Sequence, residues 1–336
     1  MTRIALPCVA LLGMSACAVD EIVETVETST TEQAGIQMQG IQMQGIQMQG
    51  IQMQGIQMQG FQLGNATIGS DTLAELRVEK GELVGRRNGS VVRGTALAGA
   101  RLFAQGTDAQ NQTVTVEYRI TSVAASSAYD PSGATYLYAI EQLVDGASWQ
   151  PACGADPEGS RLAIPMASTW DATGARHTDP GLFTFACTSG VIAKCYRWGY
   201  RPWLTGYGAN MHDIHQTCTR MARADYCGTG VPGTRNGTAI NVWDRLGAPG
   251  PIQKHGLLPP LGMLFEAGWN PDGAVCLSRV RWLVDDLLDG GALANLCPDR
   301  LVSIGLLGQT VCDTVGAVLG LDTRAYIFNE SYLNLL

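Results

Sequence analysis

Eight cysteines fall between residues 153 and 312: Cys153, Cys187, Cys195, Cys218, Cys227, Cys276, Cys297 and Cys312. No two are spaced Cys-x-x-Cys, so the pattern supports neither thioredoxin-like redox chemistry nor a zinc ribbon. An even set of thiols cross-links wherever nothing keeps it reduced, which makes compartment the first question about the fold. The N-terminus answers it. Arg3 supplies a positive start, Ile4 to Met14 an apolar run, and Ser15 and Ala16 small residues ahead of Cys17. Residues 1–16 read as an export signal, and Cys8 leaves with it.

Small residues ending in Ala before a Cys resemble a lipobox, in which Cys17 is diacylated and holds the mature chain in a bacterial envelope membrane. The alternative is an ordinary A-x-A cleavage site at Ala16-Cys17-Ala18, giving a secreted, periplasmic or extracellular protein. Either way the eight remaining cysteines are expected to form disulfides of roughly 2–4 kcal/mol each. Their connectivity stays open, because eight cysteines allow about 105 pairings.

Residues 17–34 are acidic and threonine-rich and read as a tether. Then Gly-Ile-Gln-Met-Gln recurs five times from Gly35 to Gln59, followed by the degenerate copy Gly60-Phe61-Gln62-Leu63-Gly64. A period of five forms no stripe on a helix. In a continuous strand it sends Ile and Met to opposite faces at each copy. The expectation is a flexible stalk over 35–64, in preference to a strand-like extension docked on the body. With the tether it spans roughly 35–40 Å as a coil.

The rest, 65–336, is expected to be one globular body. Apolar residues make up 46% and charged residues 15%, enough to bury a core. A net charge of −8 with only three lysines excludes a polyanion-binding face, so nucleic acid is not an expected partner. No later stretch is long and apolar enough for a transmembrane helix. From Leu73 to Ile164 the pattern is β: Leu73–Arg86 breaks at Gly81 like a hairpin, Thr113–Ile120 alternates, and Ala134–Val144 is aromatic and β-branched. After Thr188 the pattern reads as helical. Asn210 caps a helix from Met211 to Arg223, with Met211, Ile214, Cys218, Met221 and Ala222 on its apolar face and Asp213, Gln216, Thr217 and Arg220 opposite. Further helices are expected over Val280–Leu288, from Pro298 toward Leu319, and after Asp322. The predicted class is α+β: an antiparallel β-rich part before Trp170, in the form of a small sheet or barrel, then a disulfide-stapled helical part.

The middle of the chain resembles the bacterial ADYC domain. The resemblance is carried by Gly190-Val191-Ile192-Ala193-Lys194-Cys195, by Gly199-Tyr200-Arg201-Pro202-Trp203, and by His215 to Gly228 with its Ala224-Asp225-Tyr226-Cys227 tetrapeptide. Trp149 to Cys153, Phe265 to Trp269 and Gly273 to Cys276 also fit, so it covers about 118–282. It implies no particular activity.

Within that block, His212, His215 and Cys218 lie at i, i+3 and i+6, a spacing that metal ligands use. His212, however, falls off the apolar face, and Cys218 is wanted for a bridge; a rim or core histidine is preferred, with no metal and no cofactor. Asp225 beside Arg223 reads as an anchor for backbone or arginine, the catalytic alternative being an acid working with His215. Trp198, Tyr200, Trp203 and Tyr207 form an aromatic cluster, either core or the lining of an envelope glycan or peptide groove. Gly228 to Gly233 satisfies G-x-G-x-x-G but follows a helix, and Pro232 interrupts it, so it reads as a loop. There is no G-x-S-x-G, Walker loop, H-E-x-x-H or EF-hand. The preferred function is a non-enzymatic envelope lipoprotein presenting a binding or structural module. The alternatives are an exported hydrolase using His215 and Asp225, and a body that processes its own repeat.

Overall fold

The computed structural model describes residues 35–37, 59–107, 113–127, 135–144, 146–234, 238–246, 262–281 and 312–332. The signal, Cys17, the tether, most of the repeat, Cys297 and the helix read over 283–288 lie outside them.

Strands come first: β1 (Gly35–Gln37), β2 (Gln59–Ile68), β3 (Asp71–Glu79), β4 (Glu82–Arg87), β5 (Ser90–Arg93), β6 (Ala100–Thr107), β7 (Thr113–Ala125) and β8 (Tyr136–Val144). β9 (Ser148–Pro151), β10 (Leu162–Met166), β11 (Thr169–Trp170), β12 (Arg176–His177) and β13 (Leu182–Cys187) follow. Helices α1 (Val191–Arg197) and α2 (Met211–Arg223) precede β14 (Ala239–Asp244), β15 (Leu264–Asn270) and β16 (Gly273–Leu277). Helix α3 (Val315–Leu321) and β17 (Ile327–Ser331) complete the described chain.

All pairings are antiparallel. The order β13-β10-β8-β7-β6-β2 closes on itself because β2 also pairs β13, which gives a six-stranded barrel extended from β2 by β3-β4-β5. Closure removes the exposed edges that an open sheet would offer. The alternation legible in β7 and β8 puts Tyr118, Ile120, Tyr138 and Ile140 inside, against Leu102, Ala163, Phe183 and Phe185. Full burial of each such side chain contributes roughly 1.5–3 kcal/mol. The Tyr138 hydroxyl accepts a hydrogen bond from Leu83 N at 2.9 Å, so the one polar atom on that ring is satisfied.

The hairpin read at Gly81 is present, with Lys80 and Gly81 at φ 50° and 75° in a two-residue turn. The barrel also starts earlier than the repeat suggested. The degenerate copy Gly60–Gly64 lies within β2, where Phe61 pairs with Phe183.

The segment after Thr188 corrects the helical expectation. A second sheet of order β1-β14-β17-β15-β16 occupies it, and α1 and α2 lie between that sheet and the barrel. Among the described residues the α-helices are α1, α2 and α3, besides a 3-10 turn at Gly94–Leu97; Val280 and Arg281 are not helical. Asp322 does not start a helix. It ends α3 and is followed by β17.

Three disulfides brace these layers: Cys153–Cys187 joins the loop after β9 to the end of β13, Cys195–Cys218 joins α1 to α2, and Cys276–Cys312 joins β16 to the approach of α3. Their sequence separations of 34, 23 and 36 residues correspond to about 3–4 kcal/mol each in restricted unfolded chain. Cys227 is also disulfide-bonded, to a partner outside the described residues.

Candidate functional site

The family-like residues converge on the C-terminal end of α2. The helix begins where the side chain of Asn210 accepts a hydrogen bond from His212 N at 3.0 Å, as its cap position predicts. It ends at Ala224, which takes the left-handed conformation at φ 52°.

Asp225 then turns back. One carboxylate oxygen accepts from Arg220 Nη1 at 2.5 Å and from Gly230 N at 3.0 Å, and the other accepts from Thr229 N at 3.0 Å. Three charge-assisted bonds use up a carboxylate that has no exposure to solvent. The loop Gly228–Gly230 is pulled tight by them. A Cβ at Gly228 would collide with Asp272 O, and one at Gly230 with Ala172 O, so both glycines serve close backbone approach.

Tyr226 stacks on Trp269 with ring centroids 5.3 Å apart. Its hydroxyl donates to Glu266 Oε1 at 3.2 Å and accepts from Arg281 N at 3.1 Å. Burial pushes this phenol well above its usual range, so it remains a neutral donor. Arg281 grips Glu266 through Nε, and its other nitrogens donate to Met221 O at 2.7 Å and Ala222 O at 3.2 Å. Those carbonyls belong to the last turn of α2, where helical partners run out and positive charge is favoured. Ala224, Asp225, Tyr226 and Cys227 therefore act respectively as helix stop, loop anchor, sheet contact and cross-link.

His215 is buried on the same helix. Its Nε2 donates to Ile192 O at 3.1 Å, its ring lies 6.0 Å from Trp170, and it has no exposure. Burial, opposed only by that backbone bond, lowers its pKa to about 3, so it is neutral at physiological pH. His215 and Asp225 share no partner: one faces α1, the other the loop at 228–230. Cys218 is spent in its bridge to Cys195, which removes the third member of the His212, His215, Cys218 set. Among the described residues no group of three or more His, Cys, Asp or Glu is placed to hold a metal ion.

Polar residues placed opposite the apolar face of α2 are covered as well. Gln216, Thr217 and Arg220 are buried. Gln216 accepts from Trp170 Nε1 at 2.9 Å and donates to Gly174 O at 2.7 Å, while Arg220 reaches Thr173 O. The β11–β12 hairpin lies over that face and its carbonyls satisfy it.

The aromatic cluster divides. Tyr200 is buried and donates to Asp244 at 3.0 Å. Trp203 packs on Tyr196 at 5.0 Å between centroids, with the Gly81 turn against both rings. Lys194 stands 5.6 Å over Trp198, and Tyr207 is half-buried against the core. An open groove of about 670 Å³ runs along 202–212, with Trp203, Leu204, Asn210 and His212 among its walls; of the four aromatics only Trp203 lines it. Glu266 and Arg281 were missed in the sequence. The signal was there in Glu266, a lone acid within the largely apolar run Leu264–Trp269.

Fold and site together define a disulfide-braced, all-antiparallel β protein in which a helix terminus is locked to a sheet by buried ion pairs. A model of the ADYC domain matches residues 94–283, more than half of the sequence, and the chain belongs to that family. No curated protein and no solved structure matches it.

Proposed function

We propose that this chain is an exported envelope lipoprotein, held by a lipid on Cys17, whose ADYC body is a non-enzymatic binding or structural module. The observation that carries this reading is the full burial of Asp225 and His215, the carboxylate held by Arg220 and two backbone N–H groups and the imidazole Nε2 by Ile192 O. A hydrolase would need both in one solvent-reached cleft, with the histidine able to take a proton near neutral pH. Burial holds His215 far below that range. The groove beside Trp203, Asn210 and His212 is the surface suited to an uncharged envelope glycan or a short peptide.

Growth of host cells with radioactive palmitate tests the anchor. Label is expected on the wild-type protein and lost in Cys17→Ser; an unlabelled wild type, or a labelled variant, overturns it. Titration with a neutral N-acetylglucosamine oligosaccharide tests the groove: a saturable change in tryptophan fluorescence, lost in Trp203→Phe, is expected, and a flat wild-type trace contradicts glycan binding.

A further inference from the structure

The second sheet begins with a strand that comes from the repeat. Gly35-Ile36-Gln37, the opening of the first copy, forms β1 and pairs with β14 in the register Gly35 to Asn241, Ile36 to Ile240 and Gln37 to Ala239. On its other side β14 pairs with β17. Without β1, the outer edge of β14 would present unpaired backbone donors and acceptors, a template for any extended segment.

All five copies carry the same Gly-Ile-Gln-Met-Gln sequence. A backbone-paired edge that accepts the first copy therefore has no sequence basis for refusing the second or third. The odd period limits docking to one copy at a time, since a continuous strand of two copies would turn the second copy's Ile to the opposite face. The described strand, Gly35–Gln37, lies within a single copy.

We propose that the outer edge of β14 is an acceptor site for single copies of this chain's own repeat, and that the copies interchange on it. Each exchange moves five residues from one side of the docked strand to the other. The segment between docked copy and β2 shortens as the N-terminal segment lengthens, by roughly 17 Å of extended chain per step. If Cys17 is lipidated, as proposed above, the exchange adjusts how far the body stands from the membrane. The docking itself does not depend on that anchor.

Paired cysteines in the full mature chain test it. Ala239→Cys is combined with Gln37→Cys in the first copy or with Gln47→Cys, its equivalent in the third. Both pairs are expected to oxidise within one chain to similar extents. A bond formed only by Gln37→Cys overturns interchange, and bonds absent, or formed only between chains, overturn the acceptor site. Amide exchange of the chain with native cysteines gives an independent readout. Deleting 35–39 is expected to leave protection of the 239–241 amides within about twofold, because the next copy docks. Proline for Ile36, Ile41, Ile46, Ile51 and Ile56 together is expected to speed their exchange about tenfold or more. Unchanged exchange in the all-proline chain, or full loss of protection on deleting 35–39, refutes the proposal. Both readouts are indifferent to palmitate on Cys17, so failure here is distinguishable from failure of the lipoprotein reading.

Discussion

Arg281 Nε donates a shared hydrogen bond to both carboxylate oxygens of Glu266, at 3.0 and 2.9 Å, in an ion pair with neither side chain exposed to solvent. The pair does more than neutralise itself. It carries the guanidinium to the last carbonyls of α2 and the carboxylate to the Tyr226 hydroxyl, tying helix, loop and second sheet at one point.

Removing one partner of such a pair leaves a buried charge uncompensated, which is worth about 3–5 kcal/mol. Glu266→Leu is expected to lose that much stability by urea unfolding. The double variant Glu266→Leu with Arg281→Met is expected to be less destabilised than Glu266→Leu alone. A double variant with the summed loss of the two singles would show that the charges act independently.

His215 predicts a pH dependence. Its folded pKa of about 3 lies below the ordinary 6.5, so between those values the unfolded chain binds a proton that the folded one refuses. The contribution is intact above pH 6.5 and lost as pH falls from there toward about 3, by up to about 1.4 kcal/mol per pH unit. His215→Gln, followed by urea midpoints from pH 7 to 4, is expected to have a shallower slope than wild type. An identical slope would mean that the imidazole is protonated inside the fold.

The Gly81 turn separates backbone strain from collision. Gly81 and Gly89 both have positive φ, at 75° and 80°. A Cβ at Gly81 would lie 2.7 Å from Trp203 Cη2 and Tyr196 Oη, whereas Gly89 has open space. Gly89→Ala is expected to lose about 1–2 kcal/mol from left-handed backbone alone. Gly81→Ala is expected to lose about 1–3 kcal/mol more. Equal losses in thermal unfolding would mean that the turn does not press on those rings.

Cys227 is bonded while Cys153, Cys187, Cys195, Cys218, Cys276 and Cys312 pair among themselves. Cys297 is the body cysteine that remains, so a non-reducing peptide map is expected to recover Cys227 and Cys297 in one cross-linked pair. Recovery of Cys297 as a free thiol would contradict this.

What the sequence made legible was local. Asn210 and the 3.6-residue period located α2 to the residue, and Gly81 between two alternating runs located the β3–β4 hairpin. The second sheet was not legible because its register joins distant residues: Ile240 pairs with Ser331 and Leu264 with the same serine. The strands Ala239–Asp244, Leu264–Asn270 and Ile327–Ser331 carry no trace of such partners in their own short sequences. Gln216 and Arg220 were placed opposite the apolar face of α2, but their cover was not legible there, because the hairpin around Thr173 arrives from about forty residues upstream. Asp225 was the reverse case: the same polarity that suggested an acid also suggested an anchor, and only its three bonds identify what it holds.

The lipoprotein proposal requires a body that matures oxidised, outside the reducing cytoplasm. Intact mass of protein from its native host, alkylated with and without prior reduction, tests that most directly. A chain beginning at Cys17 with added lipid mass is predicted, taking up no alkyl group until reduced and one on each of the eight body cysteines afterwards. A chain that still begins at Met1 and alkylates without reductant would contradict it.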